Sequence, residues 1–259
     1  MTRPSLRLAW TVWRRDADVY LVTWKTNMLP PLMEPLLYLA AFGAGLGTLI
    51  SDVTWNGRPV SYAAFIAPGL IAVGVMFQSF FENTYSTFVR MHYQKTFDAL
   101  LSTPLSVSDL ILGELMWGAS KGLLAGMLMM IVISMFGLLT WPLALGIIPF
   151  SLVNGLMFAG LGACFASRVR TIDAFNVPTF LLITPMYLFS GTFFPLDVLP
   201  PWARAVAWTL PLTHASAVTR DLAFGRAGSM MPWSLAYAIV FIVITWWLAF
   251  RWMHRRLVI

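Results

Sequence analysis

The chain has 259 residues, of which 59% are apolar or aromatic, with 17 Lys and Arg, 11 Asp and Glu and a net charge of +6. Charged residues make up 11% of it, against about 25% in soluble domains. So few charges cannot cover a water-facing surface, which excludes an ordinary soluble enzyme, and the apolar content excludes a disordered chain. The fold class that remains is an all-α polytopic membrane protein. About 20 apolar residues cross a bilayer once, so six transmembrane helices fit this length and ten do not. Cys164 is the single cysteine, which rules out an intramolecular disulfide or a cysteine-rich metal site.

Residues 1–28 read as an amphipathic helix rather than a span. Leu6, Trp10, Trp13, Ala17, Leu21 and Trp24 recur at spacings of three and four, with Arg7, Arg14, Arg15, Asp18 and Lys25 mostly off that stripe. Such a helix lies at the membrane interface or packs on protein. No cleavable leader is expected, because the first long apolar run starts only near Leu29. The first span is expected at 29–50, with Glu34 near its entrance and the Gly43, Gly45, Gly47 run at its end. A short polar loop follows at 51–60. The second span covers 61–83, with Glu82 at its end, read as lying at the interface.

Residues 84–106 are the most polar internal segment and are expected to form a short amphipathic helix. Tyr85, Phe88, His92 and Ala99 fall near one face, and Arg90, Gln94, Lys95 and Asp98 offer charge and hydrogen bonds. A helix of this kind docks into a groove on a soluble partner or lies on the lipid surface. The third span, 107–137, carries Asp109, Glu114 and Lys121. Glu114 and Lys121 sit two turns apart, about 10 Å of rise, so each needs a partner elsewhere. Gly118, Gly122 and Gly126 in the same span form a tandem G-x-x-x-G, which permits close helix approach within one chain or between two.

The fourth span is expected at 143–166, a polar loop at 167–173 and the fifth span at 174–191. Residues 192–232 are broken by prolines and open with SGTFFPLDVLPPW, which suits an outer re-entrant hairpin. The sixth span runs over 233–250, and 251–259 form a tail. Lys and Arg decide the orientation. Twelve lie in residues 1–28, 84–106, 167–173 and 251–259, against four (Arg58, Arg204, Arg220, Arg226) in the alternate segments. Both termini are therefore expected in the cytoplasm, with 29–250 as the six-span domain. This distribution accounts for the basic charge without nucleic acid as a partner.

The sequence holds no G-x-x-x-x-G-K-[ST] and no H-E-x-x-H, and its G-x-S-x-G match at Gly118–Gly122 lies inside the expected third span rather than on a strand-to-helix turn. ATP phosphates, a zinc ion and a serine nucleophile therefore lack their usual cradles. No cofactor, catalytic residue or metal ligand is assigned to this chain, and an enzyme is the weakest class. A self-sufficient ion-coupled carrier or channel would rely on Glu114 and Lys121. The other class is the membrane half of a transporter energised by another subunit.

The stretches KTFDALLSTPLSVSDLILGELMWGASKGLLAG (95–126) and TPMYLFSGTFFPLDVLPPWARAVAWTLPLTHASAVTRDLAFG (184–225) resemble the ABC-2 family of ABC-transporter permeases. Within that family the chain is most similar to the NodJ-like lipo-oligosaccharide export permeases. The resemblance implies a bacterial inner-membrane exporter of two permease chains and two ATPase chains, with ATP and Mg on the ATPases. It makes 1–28 the interfacial helix, 84–106 the coupling segment and 192–232 the outer hairpin. Tyr85, Phe88, Arg90, Gln94, Lys95 and Asp98 become ATPase-coupling residues. Asp98 stands where many relatives carry Glu. Glu114, Trp117, Lys121, Tyr187, Phe193 and Phe194 are candidates for the pathway or gate. The implied cargo is a lipid-linked oligosaccharide or similar amphiphile, with drug or antibiotic efflux as the alternative.

Overall fold

The computed structural model describes residues 4–257 apart from 46, 48, 49, 51 and 56. Arg3 of the charge count, parts of the expected 29–50 span and 51–60 loop, and the last two residues of the tail lie outside the described residues. In chain order the elements are α1 (Leu6–Val22), α2 (Trp24–Tyr38) with a π-helical extension Leu39–Gly45, and a hairpin of β1 (Val53–Trp55) and β2 (Arg58–Val60). Then come α3 (Tyr62–Phe81), a π-helical turn Glu82–Ser86, α4 (Thr87–His92), α5 (Thr96–Leu101), α6 (Val107–Met135) and α7 (Ile147–Ala166). The remainder is α8 (Asn176–Pro178), a π-helical turn Thr179–Ile183, α9 (Thr184–Phe189), α10 (Pro201–Ala207), α11 (Pro211–Ala223) and α12 (Met231–Leu257).

Among the described residues, five helical stretches are long and apolar enough to cross a bilayer: Tyr62–His92, Val107–Met135, Leu143–Ala166, Ile172–Phe189 and Met231–Leu257. They coincide with the second to sixth expected spans. The expected first span overlaps α2 and its π-helical extension. The chain is an all-α polytopic membrane protein whose sheet, among the described residues, is confined to the antiparallel hairpin, which pairs Val53 with Val60 and Trp55 with Arg58. That hairpin corrects the expected plain loop at 51–60. It turns at Gly57, whose φ of +76° belongs to the left-handed region that glycine enters without a Cβ clash.

A second correction concerns 61–106. The helix does not stop at 83 but runs through the π turn to His92, and Lys95, at φ 53°, breaks it before α5 begins. The expected short helix is therefore split between the end of one span and a separate six-residue helix. Chain entry into α6 has a plain local cause. Asp109 Nα–H donates to Ser106 Oγ at 3.2 Å, and Ser106 N–H donates to Asp109 Oδ2 at 2.9 Å. Two otherwise unpaired backbone donors are thereby satisfied. The backbone N–H of Ser5 donates to the other oxygen of the same carboxylate, so the cap of α6 also fixes the start of α1.

Helix α3 is the central post, buried without interruption from Phe65 to Met76, with α6, α7 and α11 packed around it. The tandem glycines of α6 make this possible. A Cβ on Gly118 would meet the Asn83 amide, one on Gly122 would meet Ser79 Oγ and Val75, and one on Gly126 would meet Ser151 and Val75. All three face neighbours in this same chain, so the G-x-x-x-G stripe closes the bundle internally. Helix α1 uses the same device: it buries Ala9, Val12, Asp16 and Tyr20, with Val12 against Gly113 of α6. The Trp stripe read from the sequence points elsewhere. Leu6 is 73% exposed, Trp10 50%, Leu21 63% and Trp24 46%. The protein packs the Ala9–Val12–Asp16–Tyr20 face of α1 and leaves Trp10 and Trp24 uncovered, while Trp13 donates its indole N–H to Ser120 Oγ of α6 at 2.9 Å.

Gly122→Val is expected to destabilise the bundle by about 1–3 kcal/mol through overpacking. Met127→Leu, on the exposed side of the same helix, is expected to change stability by less than about 0.5 kcal/mol. Unfolding of the two purified variants in mild detergent checks the difference.

Candidate functional site

The charges of three elements meet at one end of the bundle. Glu82, in the π turn, is 4% exposed. Its Oε1 accepts from Arg90 Nη1 at 2.7 Å and from Trp117 Nε1 at 3.0 Å, and its Oε2 accepts from Lys121 Nζ at 2.8 Å. Arg90 Nη2 donates to Glu114 Oε2 at 2.7 Å, and the Thr87 hydroxyl donates to the same oxygen at 2.7 Å. Asp16 of α1 completes the group, its Oδ1 accepting from Arg15 Nη1 at 2.7 Å. Lys121 Nζ also lies 5.8 Å from the centroid of the Tyr20 ring. Three carboxylates and three cations are thus gathered beside a cavity of about 320 Å³ that opens between α1 and the bundle.

The geometry has a backbone cause. Eight residues of regular α-helix would leave Glu82 and Arg90 about 80° apart around the axis. The wider π turn at Glu82–Ser86 takes up that difference and aims both at α6. Glu114 and Lys121, seven residues apart on α6, find their separate partners in Arg90 and Glu82. The expectation that each needs a partner on another helix is met by ion pairs inside the chain. Glu82 itself is not a group facing water at the interface, which corrects its sequence reading. Its carboxylate is enclosed, and only paired charge makes such burial tolerable.

The network is nearly but not fully satisfied. Asp16 Oδ2, Glu114 Oε1 and Arg90 Nε are buried without a hydrogen-bond partner among the described residues. Burial, then the nearby Glu114 carboxylate, pushes the Asp16 carboxyl up to about 7, against the opposing pull of Arg90 and Arg15.

The six coupling candidates divide. Phe88 is buried against Phe175, with ring centroids 5.4 Å apart, and Tyr85 stacks at 5.0 Å on the same ring. Arg90 is turned into the ion cluster. Gln94, Lys95 and Asp98 are exposed. The side chains of Lys95 and Asp98 are each 67% exposed and 3.9 Å apart. They ride on α5, which is rooted in the core by Phe97 at 1% exposure.

The six pathway candidates divide too. Glu114, Trp117 and Lys121 belong to the ion cluster. Tyr187 and Phe193 meet edge to face at 5.0 Å, and the Tyr187 hydroxyl lies 2.6 Å from that of Tyr38. Phe194 is half-buried and makes no ring contact among the described residues. Asp16 and Arg220 were missed by the sequence reading. Asp16 is phased between the Trp stripe and the Arg face of α1. Arg220 was counted as a loop charge, whereas it is 3% exposed.

The family described as ABC-2 type transporter matches residues 7–222. Nodulation protein J of Rhizobium leguminosarum bv. viciae is 35% identical over 257 residues, covering 99% of this chain and 98% of that protein. Nodulation protein J of Sinorhizobium fredii (strain NBRC 101917 / NGR234) is 34% identical, with 95% and 92% covered. The inner membrane transport permease YadH of Escherichia coli (strain K12) is 27% identical, with 90% and 89% covered.

The Asp16 geometry generates a pH dependence. A carboxyl whose folded pKa lies above its unfolded value of 3.8 holds its proton longer when folded. Its contribution to stability is complete below pH 3.8 and is lost as pH rises to about 7. Asp16→Asn is therefore expected to flatten the stability–pH curve between those limits and to stabilise the protein at pH 8. Thermal unfolding of both forms across that range reads it out.

Proposed function

We propose, for a chain that belongs to the ABC-2 type transporter family and is a transmembrane subunit of an ABC transporter, that it moves a lipid-linked oligosaccharide or similar amphiphile outward. A separate ATPase subunit drives the movement, and ATP and Mg are held there. The assembly has two copies of this chain and two ATPases, in a bacterial inner membrane with both termini of this chain in the cytoplasm. The resemblance to lipo-oligosaccharide export permeases, together with end-to-end similarity to Nodulation protein J, supports the amphiphilic cargo, and similarity to an inner membrane transport permease of E. coli supports the inner membrane. The excess of Lys and Arg at the α1, α5 and C-terminal end supports the orientation.

The observation that carries the mechanism is α5: an exposed Lys95–Asp98 pair on a six-residue helix anchored by a buried phenylalanine, next to the ion cluster. A ligand drives a conformational change only through unequal affinity for the two states. ATP supplies that inequality on the partner. Closure of the ATPases presses on α5, Phe97 passes the displacement to the packed cluster around Phe88, and Arg90 ties α4 to α6 through Glu114. Helix α1, with Trp10 uncovered at the interface, moves with α6 through Val12 at Gly113 and Trp13 at Ser120. The aromatic contacts of Tyr38, Tyr187 and Phe193 then form the outer part of the path, closed by ring packing until the two permease chains rotate.

Drug or antibiotic efflux stays as the second cargo within this reading, since the E. coli relative's name specifies none. A self-sufficient ion-coupled carrier draws on the unpartnered oxygens of Asp16 and Glu114, and it predicts transport without any ATPase.

The test is co-expression with a Walker-containing ATPase, purification through a tag on this chain alone, and ATP hydrolysis with and without lipo-oligosaccharide. A stable complex stimulated by that lipid is the expected result. Asp98→Lys is expected to lower the stimulation about tenfold or more by setting like charges against each other at the docking surface, with membrane insertion unchanged. Unaltered stimulation in that variant contradicts the docking role, and failure of any complex to form contradicts the ATPase-driven reading.

A further inference from the structure

The opposite end of the bundle holds a second polar cavity, of about 190 Å³, set between the β-hairpin, the 190–197 segment, α11 and residues 228–230. Its walls include the indoles of Trp55 and Trp208, the guanidinium of Arg220 and the carboxylates of Asp197 and Asp221. Arg220 Nε donates to Phe65 O at 3.2 Å, and Nη2 donates to Gly191 O at 2.8 Å. The guanidinium lies 4.2 Å from the Phe65 ring centroid and 4.8 Å from that of Trp55. Among the described residues Nη1 has no partner, and no carboxylate lies within 4.0 Å of Arg220. Asp221 accepts one bond, from Gly228 N–H at 3.2 Å, and has no ion pair among the described residues. Asp197, at the exposed rim of the cavity, pairs among the described residues with Arg204 at 3.5 Å.

We infer that this cavity binds one neutral sugar unit of the cargo's head group on the outer side. The inference rests on the exporter reading for its place in transport, but the chemistry is that of the walls. A free anion would meet Asp197 and Asp221, and a cation would meet Arg220. An acyl chain would cover Arg220 Nη1 and Asp221 Oδ1, the atoms not engaged by Phe65, Gly191 and Gly228, without offering either a hydrogen bond, an expensive arrangement. A sugar hydroxyl donates to a carboxylate and accepts from a guanidinium at once, so it satisfies both charges with no net charge of its own. The two indoles supply apolar faces with a polar edge, fitted to a pyranose ring that is apolar on its faces and hydroxylated at its rim. The cavity is smaller than the roughly 300–1,000 Å³ of pockets that enclose a whole drug-sized ligand. It therefore takes one ring of a longer molecule. Ser190 and Gly191 in its wall lie on the segment that carries Phe193, so an occupied cavity braces the turn beneath the Tyr187–Phe193 contact.

The test uses the full chain in lipid nanodiscs and isothermal titration with maltotetraose, cellotetraose, chitotetraose and trigalacturonate. Saturable binding of at least one neutral tetrasaccharide is expected, at least about tenfold tighter than trigalacturonate. Asp221→Asn, which keeps the side-chain shape, and Trp208→Phe, which keeps an aromatic wall, are each expected to weaken it about tenfold, as loss of a hydrogen bond to charge or of ring contact does. Absence of binding by every neutral sugar, preference for trigalacturonate, or binding unchanged in both variants overturns the inference. The exporter reading fails separately. If the tetrasaccharides bind but lipo-oligosaccharide leaves the partner ATPase unstimulated, the cavity stands and the cargo falls. If stimulation is intact and no sugar binds, the cargo stands and the cavity falls.

Discussion

An apolar bundle has no solvent to spare for a charge, so each ionised group it encloses must be answered by another part of the same chain. The ion cluster of Glu82, Arg90, Glu114 and Lys121 is where this chain meets that constraint. Its bonds run from the π turn to α4, from α4 to α6, and from α6 back to the π turn. Removing any one member strands an opposite charge in a low-dielectric site. The segment beneath the cluster therefore cannot shift freely against the spans, and a load applied at α5 reaches α6.

Close packing makes that linkage stiff. Gly118, Gly122 and Gly126 let α6 lie against α3 and α7 with Asn83, Ser79, Val75 and Ser151 in the space where side chains would stand. Gly113 does the same for α1. Small residues bring the helices together, and the ion pairs then hold their rotation, because an Arg90 turned away from Glu82 and Glu114 would leave Glu114 without an ion pair and Glu82 with Lys121 alone. The end away from α5 is built differently. It relies on ring packing among Tyr38, Phe42, Tyr187 and Phe193, contacts that lose little when they slide. Stiffness at the α5 end and compliance at the opposite end suit the proposed transmission of force from one face to the other.

The membrane class and five of the spans were legible because length and apolar runs report directly on the bilayer. The need of Glu114 and Lys121 for outside partners was legible from their seven-residue separation. The identity of those partners was not. Arg90 is phased toward the outside on a regular α-helix, and only the π turn brings it inward, a backbone choice with no composition signal. Helix α1 misled for another reason. Most of its strongest stripe, the Trp face, is left uncovered, Trp13 excepted, while the packed face of Ala9, Val12, Asp16 and Tyr20 carries a charge in its middle. What brings that face onto α6 is the fit of Val12 at Gly113 rather than a continuous apolar stripe. Arg220 was counted as an outer loop charge because the sequence cannot show Phe65 and Trp55 closing on it.

The central claim is that the ion cluster transmits the load from α5 to the spans, rather than merely stabilising them. It is tested most directly by the cargo moved per ATP hydrolysed in proteoliposomes containing the whole complex. The variant to compare carries Glu82→Gln, Arg90→Met, Glu114→Gln and Lys121→Met together, which removes the ionic ties and leaves no unbalanced charge among the four, whereas any single change leaves one. The account predicts that this variant still assembles with the ATPase and hydrolyses ATP but moves cargo about tenfold less per nucleotide, a loss of ~1.4 kcal/mol of coupling. Transport per ATP equal to the parent chain would contradict it.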